Sequence, residues 1–197
     1  MVSRTELATR LIDAFLDHGY TTVTMTDLAA AVAVTRRTMY NHFRSKREAL
    51  RLAIETVNAD AVAVAVAQGW VGVHEGREVV ELFAGVLDTR YGTTRRRLAR
   101  SAYAIDLNDQ AFRHCRDLMV ASAIDFQQKL AALIDDLEAR GRLRLQPGIR
   151  SSDLAQALAD GARGTNQSLP PVEPGQLYRR YRAIVAALLY GMAVGSN

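Results

Sequence analysis

Cysteine occurs once in these 197 residues, at Cys115, which excludes an internal disulfide. Proline is confined to four positions, none before Pro147, and glycine is thinly spread while alanine and leucine abound. With helix breakers this scarce, the composition favours helix almost throughout, and an all-α fold is expected. Long hydrophobic runs are missing as well. The longest, near Ala183 to Val194, is too short and too interrupted to cross a bilayer, and the opening Met-Val-Ser-Arg lacks the apolar core of a signal peptide. A cytoplasmic location with no membrane partner is the expectation. No group of residues has metal-ligand spacing, and neither a phosphate-binding loop nor a nucleophile elbow occurs, so no metal or cofactor is expected. His114 and Cys115 are neighbours, but adjacent helix residues point about 100° apart, and a lone cysteine on an apolar stripe is ordinarily core. An enzyme is therefore not expected.

What the chain does have is apolar substance, 49% of its residues, and a basic balance of +4 with a pI near 9.5. The distribution of charge says more than the total. Between Thr35 and Arg47 lie Arg36, Arg37, Arg44, Lys46 and Arg47 with no acid among them, so one edge of the N-terminal region suits a polyanion.

That edge falls within Thr24 to Phe43, which reads as two short helices joined by a tight turn. Thr24 as N-cap with Asp27 at N3 makes a short-side-chain capping box, and Met25, Leu28, Ala29 and Val32 follow at helical spacing. Ala33-Val34 makes the turn. Thr35 caps the second helix, so Arg36, Arg37 and Thr38 occupy its first turn, where a recognition helix points into the major groove; Met39 and Phe43 face inward. Adjacent arginines there suit bidentate hydrogen bonds to guanine O6 and N7. A cation such as Lys46 at a helix N-terminus is otherwise unfavourable, which points to a phosphate beside it. Tyr40 is either a core aromatic or a DNA contact, His42 either packs beside Phe43 or faces DNA, and Asn41 is equally open. Thr24 is placed to donate to a phosphate while capping.

The run Thr35-Arg36-Arg37-Thr38-Met39-Tyr40-Asn41-His42-Phe43, then Ser45-Lys46-Arg47-Glu48, resembles the recognition helix and fourth-helix start of tetracycline-repressor (TetR) family regulators. The likeness extends upstream through Gly19-Tyr20 and Thr24 to Ala29, about fifty residues in all. Two departures stand out: Ala33 replaces the usual turn glycine, and Arg37 replaces a small residue. An alanine held in a left-handed conformation costs about 1–2 kcal/mol, so a different backbone path is expected at this turn. Arg37 bears on base preference. The resemblance implies Thr24, Thr35, Arg36, Arg37, Thr38, Tyr40, Asn41, His42 and Lys46 as DNA contacts, Tyr40 by way of a phosphate or base. It also implies about nine helices and two domains, residues 1–47 for DNA and 48–197 for regulation and dimerisation.

Along the chain, Ser3 and Glu6 form a capping box with Val2 and Leu7 as a hydrophobic staple, starting a helix at Arg4, and Gly19 is a natural stop. Ser45 and Glu48 make a second box opening a long helix at Lys46. From Ala61 to Ala67 alanine and valine alternate; helix is preferred because both faces are apolar, with Gly69, Gly72 and Gly76 as breaks. A helix is expected from about Arg77 to Arg90, burying Val79, Val80, Phe83, Val86 and Leu87, with Gly92 ending the connection to the next. Thr93 or Thr94 then caps another, with Leu98, Ala102 and Ile105 inward. Asn108 should cap a helix to about Arg140 with Phe112, Cys115, Met119, Phe126, Leu130, Leu133 and Leu137 as its stripe. Two further helices follow, one after Ser151-Ser152-Asp153 to about Ser168 and one from Gln176 to Met192, separated by the Pro170-Pro171 linker. The Arg95-Arg96-Arg97 run reads as a solvated face.

The penultimate helix is rich in small residues (Ala155, Ala159, Gly161, Ala162, Gly164) and the last carries Tyr181, Ile184, Val185, Leu188 and Leu189. Both serve an intramolecular core or, as the resemblance implies, a homodimer four-helix bundle that matches two half-sites of an inverted-repeat operator. Trp70, Phe83, Tyr103, Met119 and Phe126, with the polar His114, Ser122 and Asn166, are candidate walls for a small apolar or aromatic effector. The function expected is thus a repressor released from double-stranded DNA by such an effector. The rival is a helix-turn-helix regulator governed by a protein partner, or by none, with these residues simply packed together.

Overall fold

The structure, a computed structural model, describes residues 3–194; the staple residue Val2 lies outside them. The described residues form nine α-helices: α1 (Arg4–His18), α2 (Met25–Ala31), α3 (Arg36–His42), α4 (Lys46–His74), α5 (Val79–Leu87), α6 (Thr93–Leu98), α7 (Ala104–Ala139), α8 (Ser151–Asn166) and α9 (Leu177–Met192). No strand occurs among them beyond a single bridge between Leu145 and Ala193. No described helix is long and apolar enough to cross a membrane.

Each start has a local cause. The Ser3 hydroxyl accepts from the Glu6 amide at 3.1 Å, and Thr24 and Asp27 complete a reciprocal box at α2. Ser45 accepts from the Glu48 amide at 3.2 Å while the Glu48 carboxylate takes the Arg44 amide at 2.8 Å, so three residues share the opening of α4. α8 begins differently from the expected Ser151-Ser152-Asp153 start: its cap is Arg150, whose amide and guanidinium both donate to Asp153 at N3.

Several expected breaks are absent. α4 runs unbroken through Gly69 and Gly72 and stops ahead of Gly76. Glycine costs a helix about 1 kcal/mol against alanine, but a Cβ at Gly69 would lie 2.7 Å from Leu133 Cδ1 and 3.1 Å from Val86 Cγ2. The missing side chain admits α5 and α7 to close packing, and that gain outweighs the propensity. The connection expected to end at Gly92 is absent too. Asp88–Gly92 is a π-helical segment that carries α5 directly into α6, so neither Thr93 nor Thr94 is a cap.

α7 starts at Ala104 rather than Asn108, and its backbone leaves helical geometry at Cys115 (φ −131°, ψ 16°). Ahead of it the inward positions are Leu107, Ala111 and Cys115. Cys115, Phe126, Leu130, Leu133 and Leu137 are buried, whereas Phe112 is 52% exposed; Ala102 and Ile105 are also exposed, the latter at 80%.

The chain packs as two compact units, and the division does not fall at residue 47. One unit takes the residues up to Asp60 together with Arg97–Ser122; the other takes Ala61–Arg96 and Ala123 onward. The core of the first joins Leu7, Leu11, Phe15, Leu28, Met39, Phe43 and Leu50 to Leu107 and Cys115 from α7. Polar links tighten that union: Arg51 grips both carboxylate oxygens of Asp117 (2.7 and 2.6 Å), Arg97 pairs with Asp13, and the Ser101 hydroxyl donates to the Leu16 carbonyl. The second unit has its own core, in which Phe83, Leu87, Phe126, Leu130, Leu133, Leu158, Tyr181 and Val185 are fully or almost fully buried. Each such large side chain contributes about 1.5–3 kcal/mol by leaving water.

Candidate nucleic-acid interface

α2 and α3 are each only seven residues long, too short to persist without caps and a core. The Thr24 hydroxyl accepts from the Asp27 amide at 3.2 Å, and the Asp27 carboxylate takes the Thr24 amide at 2.8 Å and the hydroxyl at 2.7 Å. Those bonds, the hydroxyl's first, hold the Asp27 carboxyl below its usual range. At the other end of α2 the chain turns at Ala33, whose φ is +57°, and the Val34 amide returns to the Ala29 carbonyl at 2.9 Å. The turn therefore keeps the left-handed path despite lacking glycine, contrary to expectation. Arg10 of α1 supports it by donating to the Val32 carbonyl at 3.3 Å.

The Thr35 hydroxyl then caps α3, accepting from the Thr38 amide at 3.1 Å, and the two threonine hydroxyls lie 2.8 Å apart. Met39 and Phe43 are completely buried against the head core. Since these two fix the inward face, Arg36, Arg37, Tyr40 and Asn41 stand exposed on the other, with Thr38 half-buried beside them. Tyr40 is not a core aromatic: it is 46% exposed, and the Arg36 guanidinium lies 5.5 Å from its ring centroid. Spaced four apart on one helix, the pair is pre-set as a flat cationic and aromatic platform. His42 is half-buried with its ring 6.2 Å from that of Phe43, matching the packing alternative.

Lys46 departs from the phosphate role expected of it. Its ammonium donates to the carbonyls of Tyr20 (2.5 Å), Val23 (2.7 Å) and Thr21 (3.3 Å), and sits 4.6 Å from the Tyr20 ring centroid. All three ammonium donors are thus turned to main chain. Asp106 and Arg51, which no local pattern singles out, are the polar residues that tie this head to α7.

The eight residues expected to wall an effector site divide four and four between the units: Tyr103, His114, Met119 and Ser122 in the first, Trp70, Phe83, Phe126 and Asn166 in the second. Tyr103 packs against Gly19, and the His114 ring lies 5.6 Å from Tyr20 while its carbonyl accepts from Arg51, so both support the head. Met119 and Ser122 are half-buried. In the second unit Phe83 and Phe126 are fully buried, and Tyr91 meets Phe126 edge-on with centroids 5.7 Å apart. Asn166 donates to the Tyr91 carbonyl (3.4 Å) and accepts from the Tyr181 hydroxyl (2.6 Å). Arg90 is buried there, its guanidinium 5.1 and 5.8 Å from the Tyr91 and Phe126 ring centroids, and burial lowers its pKa while raising that of Tyr91.

Residues 11–54 match the family described as bacterial regulatory proteins, tetR family. A search of curated proteins finds no match. Among solved structures, a TetR transcriptional regulator from Chloroflexus aurantiacus J-10-FL is 18% identical, with 98% of this chain and 96% of that one covered and a TM-score of 0.67. Thermus thermophilus FadR, a TetR-family repressor in complex with lauroyl-CoA, is 20% identical (98% and 97% covered, TM-score 0.64). SmeT, the repressor of the Stenotrophomonas maltophilia multidrug efflux pump SmeDEF, is 15% identical (98% and 92% covered, TM-score 0.64). At such identities these likenesses are of fold. The matched N-terminal module, with its outward α3 bearing Arg36, Arg37 and Tyr40, is thus similar to that of the tetR family, and the chain as a whole shares the fold of TetR-family transcriptional regulators.

Proposed function

We propose that this regulator is a cytoplasmic homodimeric repressor that reads an inverted-repeat operator and is released from it by a small apolar or aromatic molecule. The observation that carries the DNA half is the exposed α3 face, where Arg36 is braced on Tyr40 between two threonine-capped helix starts. Arg36 and Arg37 enter the major groove, and Tyr40, Asn41, Thr35 and Thr38 meet bases or backbone at its edge, while Thr24 reaches a phosphate only by turning its hydroxyl proton away from Asp27. His42, flush with Phe43, contributes at the margin.

A seven-residue helix covers too few base pairs to be selective alone, which favours two heads on adjacent major grooves. α8 and α9 offer a surface for pairing: Tyr190 is 91% exposed, and a shallow groove of about 390 Å³ is lined by Gly161, Gly164, Ala183, Ile184 and Ala187. Small residues along such a groove let a second copy's helices approach closely. The effector half rests on the second unit, whose core gathers Phe83 and Phe126 with Trp70 packed against it and where Tyr91 and Tyr181 hold the polar Asn166, and on the ligand-bound and drug-pump repressors among the similar folds. Release follows if the effector favours a spacing of the two heads that no longer fits the operator, for which a few kcal/mol of differential affinity is enough.

The experiment is competition binding of the full chain to a duplex selected from a random library. Arg36→Ala should change which base is preferred as well as weaken binding, by roughly 1–3 kcal/mol. Equal losses on the selected and on random duplexes would remove Arg36 from the groove.

A further inference from the structure

The connection between α1 and α2, residues 20–23, is held by side chains from elsewhere in its unit. Asp106, in the first turn of α7, accepts with one carboxylate oxygen from the amides of Tyr20 (2.7 Å) and Thr21 (2.9 Å), and with the other from the Thr21 hydroxyl. Lys46 meanwhile takes the carbonyls of Tyr20, Thr21 and Val23. Two opposite charges thus bind the donors and the acceptors of one short stretch of main chain. Gly19 lets the turn lie against α7: its φ is +73°, and a Cβ there would come within 2.6 Å of Tyr103 Cδ1 and 3.2 Å of Asp106 Oδ2. Burial pushes the Asp106 carboxyl up, but the bonds from Thr21 and Tyr20 outweigh it and hold the carboxyl below its usual range, so the acceptor stays ionised. Thr24, the cap of α2, follows this turn immediately.

We propose that Asp106 is a positioning residue for operator recognition, fixing through the α1–α2 turn the direction in which α2 and its Thr24 cap leave α1. The proposal rests on the DNA-binding reading above and adds a residue of α7 to it. The head core, built on Leu7, Phe15, Leu28 and Phe43, does not depend on Asp106 and survives its loss. The exposed amide and hydroxyl of Thr21 would turn to water instead, and the turn would sample paths on which α2 starts at other angles. Apparent affinity scales with the fraction of heads in the ready conformation, so a head ready one-tenth of the time binds operator about tenfold more weakly. Random duplex, held chiefly through charge, tolerates the other paths.

The test compares the full-length wild type with Asp106→Asn, Thr21→Val and the double variant on a library-selected duplex and a random one, over a range of salt. Asp106→Asn should weaken selected-duplex binding about tenfold, random-duplex binding less than twofold, and leave the salt slope and the folded fraction at assay temperature unchanged. Thr21→Val should give a smaller loss that largely disappears in the Asp106→Asn background, because both changes release the same turn. Unchanged operator affinity in Asp106→Asn overturns the proposal, as do equal losses on both duplexes or fully additive losses in the double variant. If the wild type selects no duplex at all, the DNA-binding reading falls first, and this one with it.

Discussion

Replacing Ala33 with glycine should stabilise the protein. The residue is exposed and holds φ at +57°, where an L side chain presses its Cβ on the following carbonyl at a cost of about 1–2 kcal/mol. Glycine removes that strain but enlarges the unfolded ensemble, which gives back about 0.4–1 kcal/mol. The net is a gain of about 0.8 kcal/mol, equivalent to roughly 2–3 °C for a chain of this size. No packing is lost, because the methyl faces solvent, and both the Val34-to-Ala29 bond and the Arg10 support remain available. Thermal and urea unfolding of the full chain, followed by circular dichroism, measures the gain. Operator binding reports whether the path of the turn is kept, and it should not weaken. A variant as stable as wild type, or less stable, would refute the strain argument; so would an Ala33→Val variant that loses no stability, since a β-branched residue is worse still in that conformation.

Lys46→Met keeps the aliphatic stem but leaves three carbonyls without their donor, so stability should fall by about 1–2 kcal/mol while the salt slope on random duplex changes by well under one. A salt titration showing a full unit lost from the slope would return Lys46 to the phosphates. The Arg51 guanidinium holds the Asp117 carboxyl at about 2, below the ordinary carboxylate value of about 3.9. A depressed folded-state pKa contributes stability above the unfolded value and loses it on acidification. The stability advantage of wild type over Asp117→Asn should accordingly be level above about pH 4 and shrink toward pH 2; an advantage constant across that window would sink the assignment.

Features of the fold with a local cause were legible in the chain. Ser3, Thr24, Thr35 and Ser45 mark helix starts because a hydroxyl three residues before an amide reaches it without help from the rest of the protein. The same locality made α3 and its outward arginines readable. Propensity misled where packing reversed it: Gly69 looks like a break until Leu133 is seen to lie where its side chain would be. A cation in the first turn of α4 looked like a phosphate contact because nothing in the sequence tells that Tyr20, Thr21 and Val23 turn their carbonyls toward Lys46. Asp106 and Asp117 find their partners 85 and 66 residues away, beyond the reach of any periodicity.

The discontinuous make-up of the first unit bears on how such a regulator could be rebuilt with a new DNA specificity. An exchange of heads cut at the end of α3 would strip the transplanted helices of Leu50, Leu107 and Cys115 from their core and of Asp106, the acid that answers Thr21. Moving the segment Arg97–Ser122 along with the residues up to Asp60 carries those partners across intact. A graft limited to the solvent side of α3, at Arg36, Arg37, Tyr40 and Asn41, disturbs none of them. On the function proposed, specificity rests on a few exchangeable side chains, whereas the stage they stand on is shared between two stretches of chain that must travel together.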